Sequence, residues 1–125
     1  MKKENATAII ILAAGASRRM PNTIKQLLPW NGSTFLGNTI KIAQESKGDT
    51  LLVVLGAYAD KIREECNKLK VNFIVNPNWE DGLGSSIAFG VSHIQNLEKK
   101  FESILIFWPR LTLPSIILTK IITPR

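Results

Sequence analysis

Four short runs of apolar residues recur along the chain, and each is followed by a turn or loop signal. The first run, residues 8–12, is uninterrupted and rich in β-branched side chains, which is typical of a strand buried on both faces. The other three runs have similar lengths, and Asn72 is a polar residue inside one of them. The four predicted strands are residues 8–12, 50–55, 71–75 and 103–107.

Between these runs the apolar positions recur at helical spacing. Apolar side chains three or four residues apart predict an amphipathic helix after each of the first three strands. The three stripes are Leu36, Ile40 and Ala43; Ile62, Cys66 and Leu69; and Ile87, Val91, Ile94 and Leu97. Strands that alternate with helices favour right-handed crossovers and helices on both faces of the sheet. We therefore predict an α/β fold, a Rossmann-like three-layer sandwich with a mostly parallel sheet.

The composition is that of a globular domain with a basic surface. The 125 residues carry a formal net charge of +6, and 45% of them are apolar. The lysines are scattered and no aromatic-rich basic strand accompanies them, so a solvated surface is favoured over nucleic-acid binding. No stretch approaches the roughly 20 apolar residues of a membrane span. The single cysteine, Cys66, fits a reducing cytoplasm, and its place on a helical stripe favours a core residue over a catalytic thiol.

The first predicted strand ends in a loop that has almost no side chains. Ala13, Ala14 and Gly15 let another group approach the backbone closely. Hydroxyl and cationic side chains follow, namely Ser17, Arg18, Arg19 and Lys25. Bare backbone N–H groups together with cations are typical of a phosphate-binding loop. Ligands of such sheets bind beyond the carboxyl ends of the strands, where this loop is predicted to lie.

A second loop of defined shape follows the third predicted strand. It spans residues 76–86 and contains one proline and two glycines. Ser85 or Ser86 is predicted to cap the helix that follows, and the N–H groups at the start of that helix would attract an anion. Trp79 has two interpretations, since a tryptophan in a loop either covers a substrate ring or packs against its own domain.

Both loops resemble the signatures of one family. The first reads Leu12-Ala13-Ala14-Gly15-x-Ser17-x-Arg19-Met20, then Lys25-Gln26-Leu27-Leu28-Pro29-Trp30. The second reads Asn76-Pro77-x-Trp79-x-x-Gly82-Leu83-Gly84-Ser85-Ser86-Ile87-x-x-Gly90-Val91. In this order, each after a strand, the motifs resemble those of MobA-like nucleotidyltransferases, and most nearly the molybdenum cofactor cytidylyltransferase branch. The resemblance covers about residues 6–107.

The resemblance implies how a site would work. The first loop would bind the nucleotide, the second would border the acceptor, and Lys25 and Arg19 would be catalytic because their charge offsets that of the departing pyrophosphate. The implied nucleotide-binding residues are Leu12, Ala13, Ala14, Gly15, Ser17, Arg18, Lys25 and Asn76. The implied acceptor-binding residues are Trp79, Gly84, Ser85 and Ser86. The implied ligands are CTP or GTP, a phosphorylated acceptor such as molybdopterin, and Mg²⁺.

Two features depart from the family pattern. Residues 21–24 lengthen the first loop before Lys25. After the fourth strand, where the family has an aspartate that holds Mg²⁺, the chain reads Trp108-Pro109-Arg110-Leu111-Thr112-Leu113-Pro114, and no Asp or Glu follows Glu102. We therefore predict no metal ligand among the side chains of this chain. The single histidine, His93, has no second histidine beside it and is interpreted as a surface or boundary residue.

These departures divide the chain in two. Residues 1–107 are predicted to be the N-terminal part of a nucleotidyltransferase-like domain, and residues 108–125 a divergent tail in which 115–122 form a short helix. A frameshift or premature stop near codon 108 would explain the change, as would a compact paralogue that has lost transfer chemistry, and we favour the first. A sheet that is incomplete at its C-terminal side would expose an edge through which copies could associate.

The resemblance implies a lineage that transfers CMP from CTP to molybdopterin, and the missing aspartate implies that this chain is weakly active or inactive. One alternative is a catalytically silent nucleotide-binding or interaction domain, which the missing carboxylate favours. Another is a sugar-phosphate nucleotidyltransferase, which shares a similar Gly-Arg-Lys loop but lacks the second motif.

Overall fold

A five-stranded sheet organises the described part of the chain. The computed structural model describes residues 6–16, 23–46, 48–97, 101–110 and 115–122, with side chains as far as Phe107. In chain order the elements are β1 (Thr7–Ala13), β2 (Pro29–Trp30), β3 (Ser33–Thr34), α1 (Phe35–Glu45), β4 (Thr50–Leu55), α2 (Ala59–Glu65), β5 (Asn72–Val75), α3 (Leu83–Gln95), β6 (Ser103–Arg110) and β7 (Ser115–Ile122). Short 3₁₀ helices lie at Lys25–Leu27 and Trp79–Asp81.

The strand β1 lies at the centre of this sheet, whose order is β5–β4–β1–β6–β7. It pairs in parallel with β4 on one side and with β6 on the other, so that Ile10 lies opposite both Leu52 and Ile106. The pair β4–β5 is also parallel, whereas β6–β7 is antiparallel. The predicted α/β fold with a mostly parallel sheet is therefore confirmed.

Helices cover both faces of the sheet, which gives the three predicted layers. Successive side chains of a strand point to opposite faces, so the apolar run of β1 supplies two separate cores. One core joins the odd positions Ile9, Ile11 and Ala13 to α1 and α2 through Leu36, Ile40 and Ile62. The other joins the even positions Ala8, Ile10 and Leu12 to α3 through Ile94.

The helices α1 and α3 follow the predicted stripes for most of their length, whereas α2 ends at Glu65 and contains only Ile62 of the predicted stripe Ile62, Cys66 and Leu69. Thr34 caps α1, since its Oγ1 accepts a hydrogen bond of 2.9 Å from the N–H of Gly37. Cys66 follows the end of α2 and is 3% exposed, which confirms that it is a core residue. Burial raises the pKa of its thiol, so the thiol stays protonated at neutral pH. The stripe of α3 was predicted one step too far, because α3 ends at Gln95 and leaves Leu97 exposed.

The predicted short helix over residues 115–122 is wrong. These residues form β7, which pairs antiparallel with the whole of β6, from Ser103 opposite Ile122 to Arg110 opposite Ser115. The stretch is rich in β-branched residues, and the unpaired edge of β6 offers it a row of backbone hydrogen-bonding groups. Within the described ranges the edge strands are thus β5 and β7, and self-association through an edge stays a prediction.

No helix in the described ranges is long and apolar enough to cross a membrane.

The central place of β1 makes its buried isoleucines the test of this architecture. Ile10 is fully buried, whereas Ile42 on α1 is 51% exposed. We expect Ile10→Ala to lower the free energy of unfolding by about 2–5 kcal/mol, because the cavity it leaves lies in a packed core. The matched variant Ile42→Ala should change it by less than about 0.5 kcal/mol. Denaturant unfolding measures both, and equal effects of the two substitutions would contradict the assigned core.

Candidate functional site

A cavity of about 400 Å³ opens at the carboxyl ends of the central strands, where the two sequence motifs meet. Its volume is within the range of small-molecule sites, and its position is the one expected for ligands of a parallel α/β sheet. The described residues that line it come from the end of β1 and the loop after it, the two 3₁₀ helices, the start of α1, and the start of α3 with its N-cap. They are Leu12, Ala14, Gly15, Ala16, Lys25, Gln26, Phe35, Leu36, Trp79, Glu80, Gly82, Leu83 and Ser86.

The loop after β1 presents bare backbone to this cavity. Gly15 is exposed there, and a Cβ added to it would meet no described atom within 4 Å. The preceding residue, Ala14, is fixed by the loop after β4, since its carbonyl accepts a hydrogen bond of 3.1 Å from the N–H of Ala57. The loop therefore combines a fixed backbone with open space in front of it, the combination that a bound phosphate or nucleoside needs.

Lys25 reaches the cavity because apolar residues anchor the segment that carries it. Ile24 and Leu27 pack against the core on the α1 side and are joined by a hydrogen bond of 2.9 Å from the N–H of Leu27 to the carbonyl of Ile24. This 3₁₀ turn leaves Lys25 and Gln26 in the cavity wall. The half-buried ammonium of Lys25 is thus placed beside the bare loop.

Gln26 is a wall residue that the sequence interpretation missed. It is 5% exposed, and its Oε1 has no hydrogen-bond partner among the described residues. An unpaired buried acceptor costs about 1–3 kcal/mol, so it is a candidate acceptor for a donor group of a ligand. Its position directly after Lys25 in the first motif was the available signal, but the burial of its amide could be known only from the tertiary structure.

The second motif is tied together by Asn76, which is 1% exposed. Its Nδ2 donates to the Oγ of Ser85 at 3.1 Å and to the Oγ of Ser86 at 3.0 Å, while its Oδ1 accepts from the N–H of Asn78 at 2.9 Å. Its own N–H donates to the carbonyl of Leu55, in the neighbouring strand, at 2.8 Å. All of these groups are used inside the protein, so Asn76 joins the end of β5 to the first turn of α3.

The helix α3 begins earlier than predicted, and the prediction that Ser85 or Ser86 is its N-cap is wrong. It begins at Leu83, with Gly82 as the N-cap in a conformation (φ 101°, ψ −177°) that only glycine adopts readily. No side chain caps this end. Gly82 and Leu83 lie in the cavity wall, so the positive end of the helix dipole faces the cavity. Ser85 and Ser86 lie inside the first turn of α3, and their hydroxyls accept hydrogen bonds from Asn76 instead of capping the helix.

The charges of the described wall are one cation, Lys25, and one carboxylate, Glu80. In the described ranges no three His, Cys, Asp or Glu side chains come together in a way that could hold a metal ion. Mg²⁺ in nucleotide sites is usually held by one or two carboxylates together with substrate phosphates. The described donor set therefore does not fit a metal held by the protein alone.

The structure brings together only part of each predicted set. Of the predicted nucleotide-binding residues, Leu12, Ala14, Gly15 and Lys25 line the cavity, whereas Ala13 and Asn76 are buried beside it. Of the predicted acceptor-binding residues, Trp79 and Ser86 line it, whereas Gly84 and Ser85 do not. Ser17, Arg18 and Arg19 lie outside the described residues, so the predicted roles of these three stay predictions.

Comparison with known proteins identifies related sequences and folds. The MobA-like NTP transferase domain matches residues 9–107. The molybdenum cofactor cytidylyltransferase of Escherichia coli K12 is 34% identical over 92 residues, which are 73% of this chain and 47% of that protein. Nicotine blue oxidoreductase of Paenarthrobacter nicotinovorans is 32% identical over 89 residues, which are 70% of this chain and 44% of that protein.

The fold has solved counterparts as well. Rv0371c of Mycobacterium tuberculosis H37Rv matches with a TM-score of 0.73 and 26% identity, covering 86% of this chain and 53% of that chain. A second structure of the mycobacterial protein is a complex with manganese.

The chain spans about half of the length of each of these relatives. Their names also differ, since one is a transferase and another an oxidoreductase, so the shared domain does not by itself specify one reaction. The family model matches residues 9–107, the part of this chain that contains both motifs. The chain therefore belongs to the MobA-like NTP transferase family, a family of nucleotidyltransferases.

Proposed function

We propose that this chain binds a nucleoside triphosphate, CTP or GTP, in the cavity at the carboxyl ends of the strands, and a cytidylyltransferase among its relatives favours CTP. Its lineage is one that transfers CMP from CTP to a phosphorylated acceptor such as molybdopterin. The observation that carries the proposal is the convergence of Lys25, the bare loop at Gly15 and the uncapped start of α3 on one cavity. All three features favour an anion.

In the proposed reaction an oxygen of the acceptor phosphate forms a bond to the α-phosphorus of CTP, and the bond from that phosphorus to pyrophosphate breaks. Lys25 would stabilise the charge that develops on pyrophosphate, and Arg19 is proposed to assist it. The N–H groups at the start of α3 would hold a phosphate or the nucleoside. Trp79 and Ser86 would border the acceptor, and Asn76 would hold Ser86 in place.

A divalent metal would neutralise the phosphates when it is bound. The manganese complex of the mycobacterial relative supports the binding of a divalent metal. The described wall offers such a metal only the carboxylate of Glu80. The same shortage of carboxylates supports weak turnover or none.

A silent nucleotide-binding domain is the second candidate, and the lack of any Asp or Glu in the stretch 103–114, around the end of β6, favours it. It differs from a transferase in one measurable property, since it would bind CTP without releasing pyrophosphate in the presence of an acceptor. A sugar-phosphate acceptor is a third candidate, which a comparison of acceptors would distinguish. The motif at residues 76–86 argues against it.

The first prediction is that the folded protein binds CTP more tightly than GTP, and more tightly with Mg²⁺ than without it. Calorimetric titration of both nucleotides, with and without Mg²⁺, measures this, and circular dichroism verifies that the sample is folded. Absence of binding by either nucleotide in a folded sample would exclude the proposed function. Binding without pyrophosphate release would select the silent domain.

The second prediction concerns the cation of the cavity. We expect Lys25→Ala to weaken CTP binding on the order of 10- to 100-fold, because a charge-assisted contact to phosphate contributes about 1.5–3 kcal/mol. Lys41→Ala is the matched control, since Lys41 is an exposed lysine of α1 that does not line the cavity. Equal affinities of the two variants would remove Lys25 from the site.

The third prediction tests the bare loop. Gly15→Ala should leave the thermal midpoint unchanged or slightly higher, because the added methyl group meets no described atom and restricts the unfolded chain. The same methyl group would occupy the space proposed for the nucleotide, so we expect CTP affinity to fall at least about fivefold. A variant that is as stable as the wild type and binds CTP equally well would show that the nucleotide does not approach Gly15.

A further inference from the structure

The short loop between β4 and α2, residues 56–58, contacts both motifs although it belongs to neither. The N–H of Ala57 donates to the carbonyl of Ala14, and the hydroxyl of Tyr58 donates to the carbonyl of Ala16 at 2.7 Å. Gly56 packs directly against Trp79 of the second motif. This 56–58 loop therefore lies behind both motifs at the carboxyl end of the sheet.

The two hydrogen bonds fix the direction of the first motif's backbone. A trans peptide unit is planar, with its carbonyl and N–H pointing in opposite directions. Because the carbonyl of Ala14 points toward Ala57, the N–H of Gly15 points away from the 56–58 loop. The hydroxyl of Tyr58 fixes the carbonyl of Ala16 in the same way.

The hydroxyl of Tyr58 has a fixed position because both the ring and the backbone of this residue make contacts with the protein. The ring packs against the core that contains Ile62 and Leu36, and the carbonyl of Tyr58 accepts a hydrogen bond of 2.9 Å from the N–H of Ile62. Tyrosine suits this position, since its rigid ring packs in the core while its hydroxyl reaches a polar partner.

Gly56 leaves room for the contact between the motifs. A Cβ at this position would lie 2.5 Å from the Cβ of Trp79 and 2.8 Å from the carbonyl oxygen of Ala14. Both distances are shorter than van der Waals contact, and one of the two atoms belongs to backbone that cannot turn aside. Any side chain here would push the first motif and Trp79 apart.

We propose that Tyr58 and Gly56 are positioning residues for nucleotide binding, since they hold the backbone of residues 14–16 and Trp79 in the geometry of the cavity. The inference rests on the proposed function for its ligand, a nucleoside triphosphate. Neither residue belongs to the two sequence motifs.

The test is Tyr58→Phe, which removes the hydroxyl and keeps the ring. We expect CTP affinity to fall about three- to tenfold, as for the loss of one hydrogen bond, and the amide of Ala57, which donates to the carbonyl of Ala14, to exchange faster with solvent in the ligand-free protein. The matched control is Ser46→Ala. Its hydroxyl also donates to a backbone carbonyl, that of Ala43, but it lies at the C-terminal end of α1, away from the cavity. Its CTP affinity should equal that of the wild type even if both variants lose similar thermal stability.

Gly56→Ala is the second variant, and we expect it to weaken CTP binding more than Tyr58→Phe does, because it displaces both motifs. If the wild type binds CTP and Tyr58→Phe binds it equally well, the positioning role is overturned. If the wild type binds neither CTP nor GTP, the proposed function fails. In that case amide exchange still decides the structural part of the inference: faster exchange at Ala57 in Tyr58→Phe supports it, and unchanged exchange overturns it.

Discussion

The parallel pairing of β1 with a strand on each side is the constraint on which the rest of this structure depends. The pairing removes both edges of β1 from solvent, and the helices on either side of the sheet remove both faces, so its side chains are apolar from Ala8 to Ala13. It also places the residues that follow, Ala14 and Gly15, at the carboxyl edge of the sheet beside the ends of its neighbours. A loop in that place can bind a ligand without distorting the core beneath it.

The loops at this edge are connected mainly through backbone groups. The carbonyl of Ala14 is held by the 56–58 loop, the carbonyl of Leu55 by Asn76, and the first turn of α3 by the amide of Asn76. Each connection satisfies a polar group that would otherwise be buried without a partner. The same hydrogen bonds therefore stabilise the fold and set the geometry of the cavity. Asn76 therefore contributes to the cavity without lining it.

Family membership and chemistry are separate questions for this chain. Its relatives are 32–34% identical over about 90 residues, yet they include a cytidylyltransferase and an oxidoreductase. A loop of small residues beside a cation binds phosphate in proteins of many functions. Nucleotidyl transfer also needs charged groups placed around the reacting phosphorus. The described wall contains one carboxylate, so nucleotide binding in this cavity does not by itself imply turnover.

The sequence by itself determined the four parallel strands, the helices between them and the two loops that carry candidate chemistry, because hydrophobic periodicity reports directly on burial. It failed at residues 115–122, where an apolar stretch is ambiguous until a neighbouring strand edge is available. It also placed the start of α3 too late, since serines that cap a helix look the same in sequence as serines that accept hydrogen bonds from the amide of Asn76. Only the tertiary structure showed Gln26 in the wall and Tyr58 behind the loop. Those contacts join residues from different elements, and no local pattern records which segments the sheet brings together.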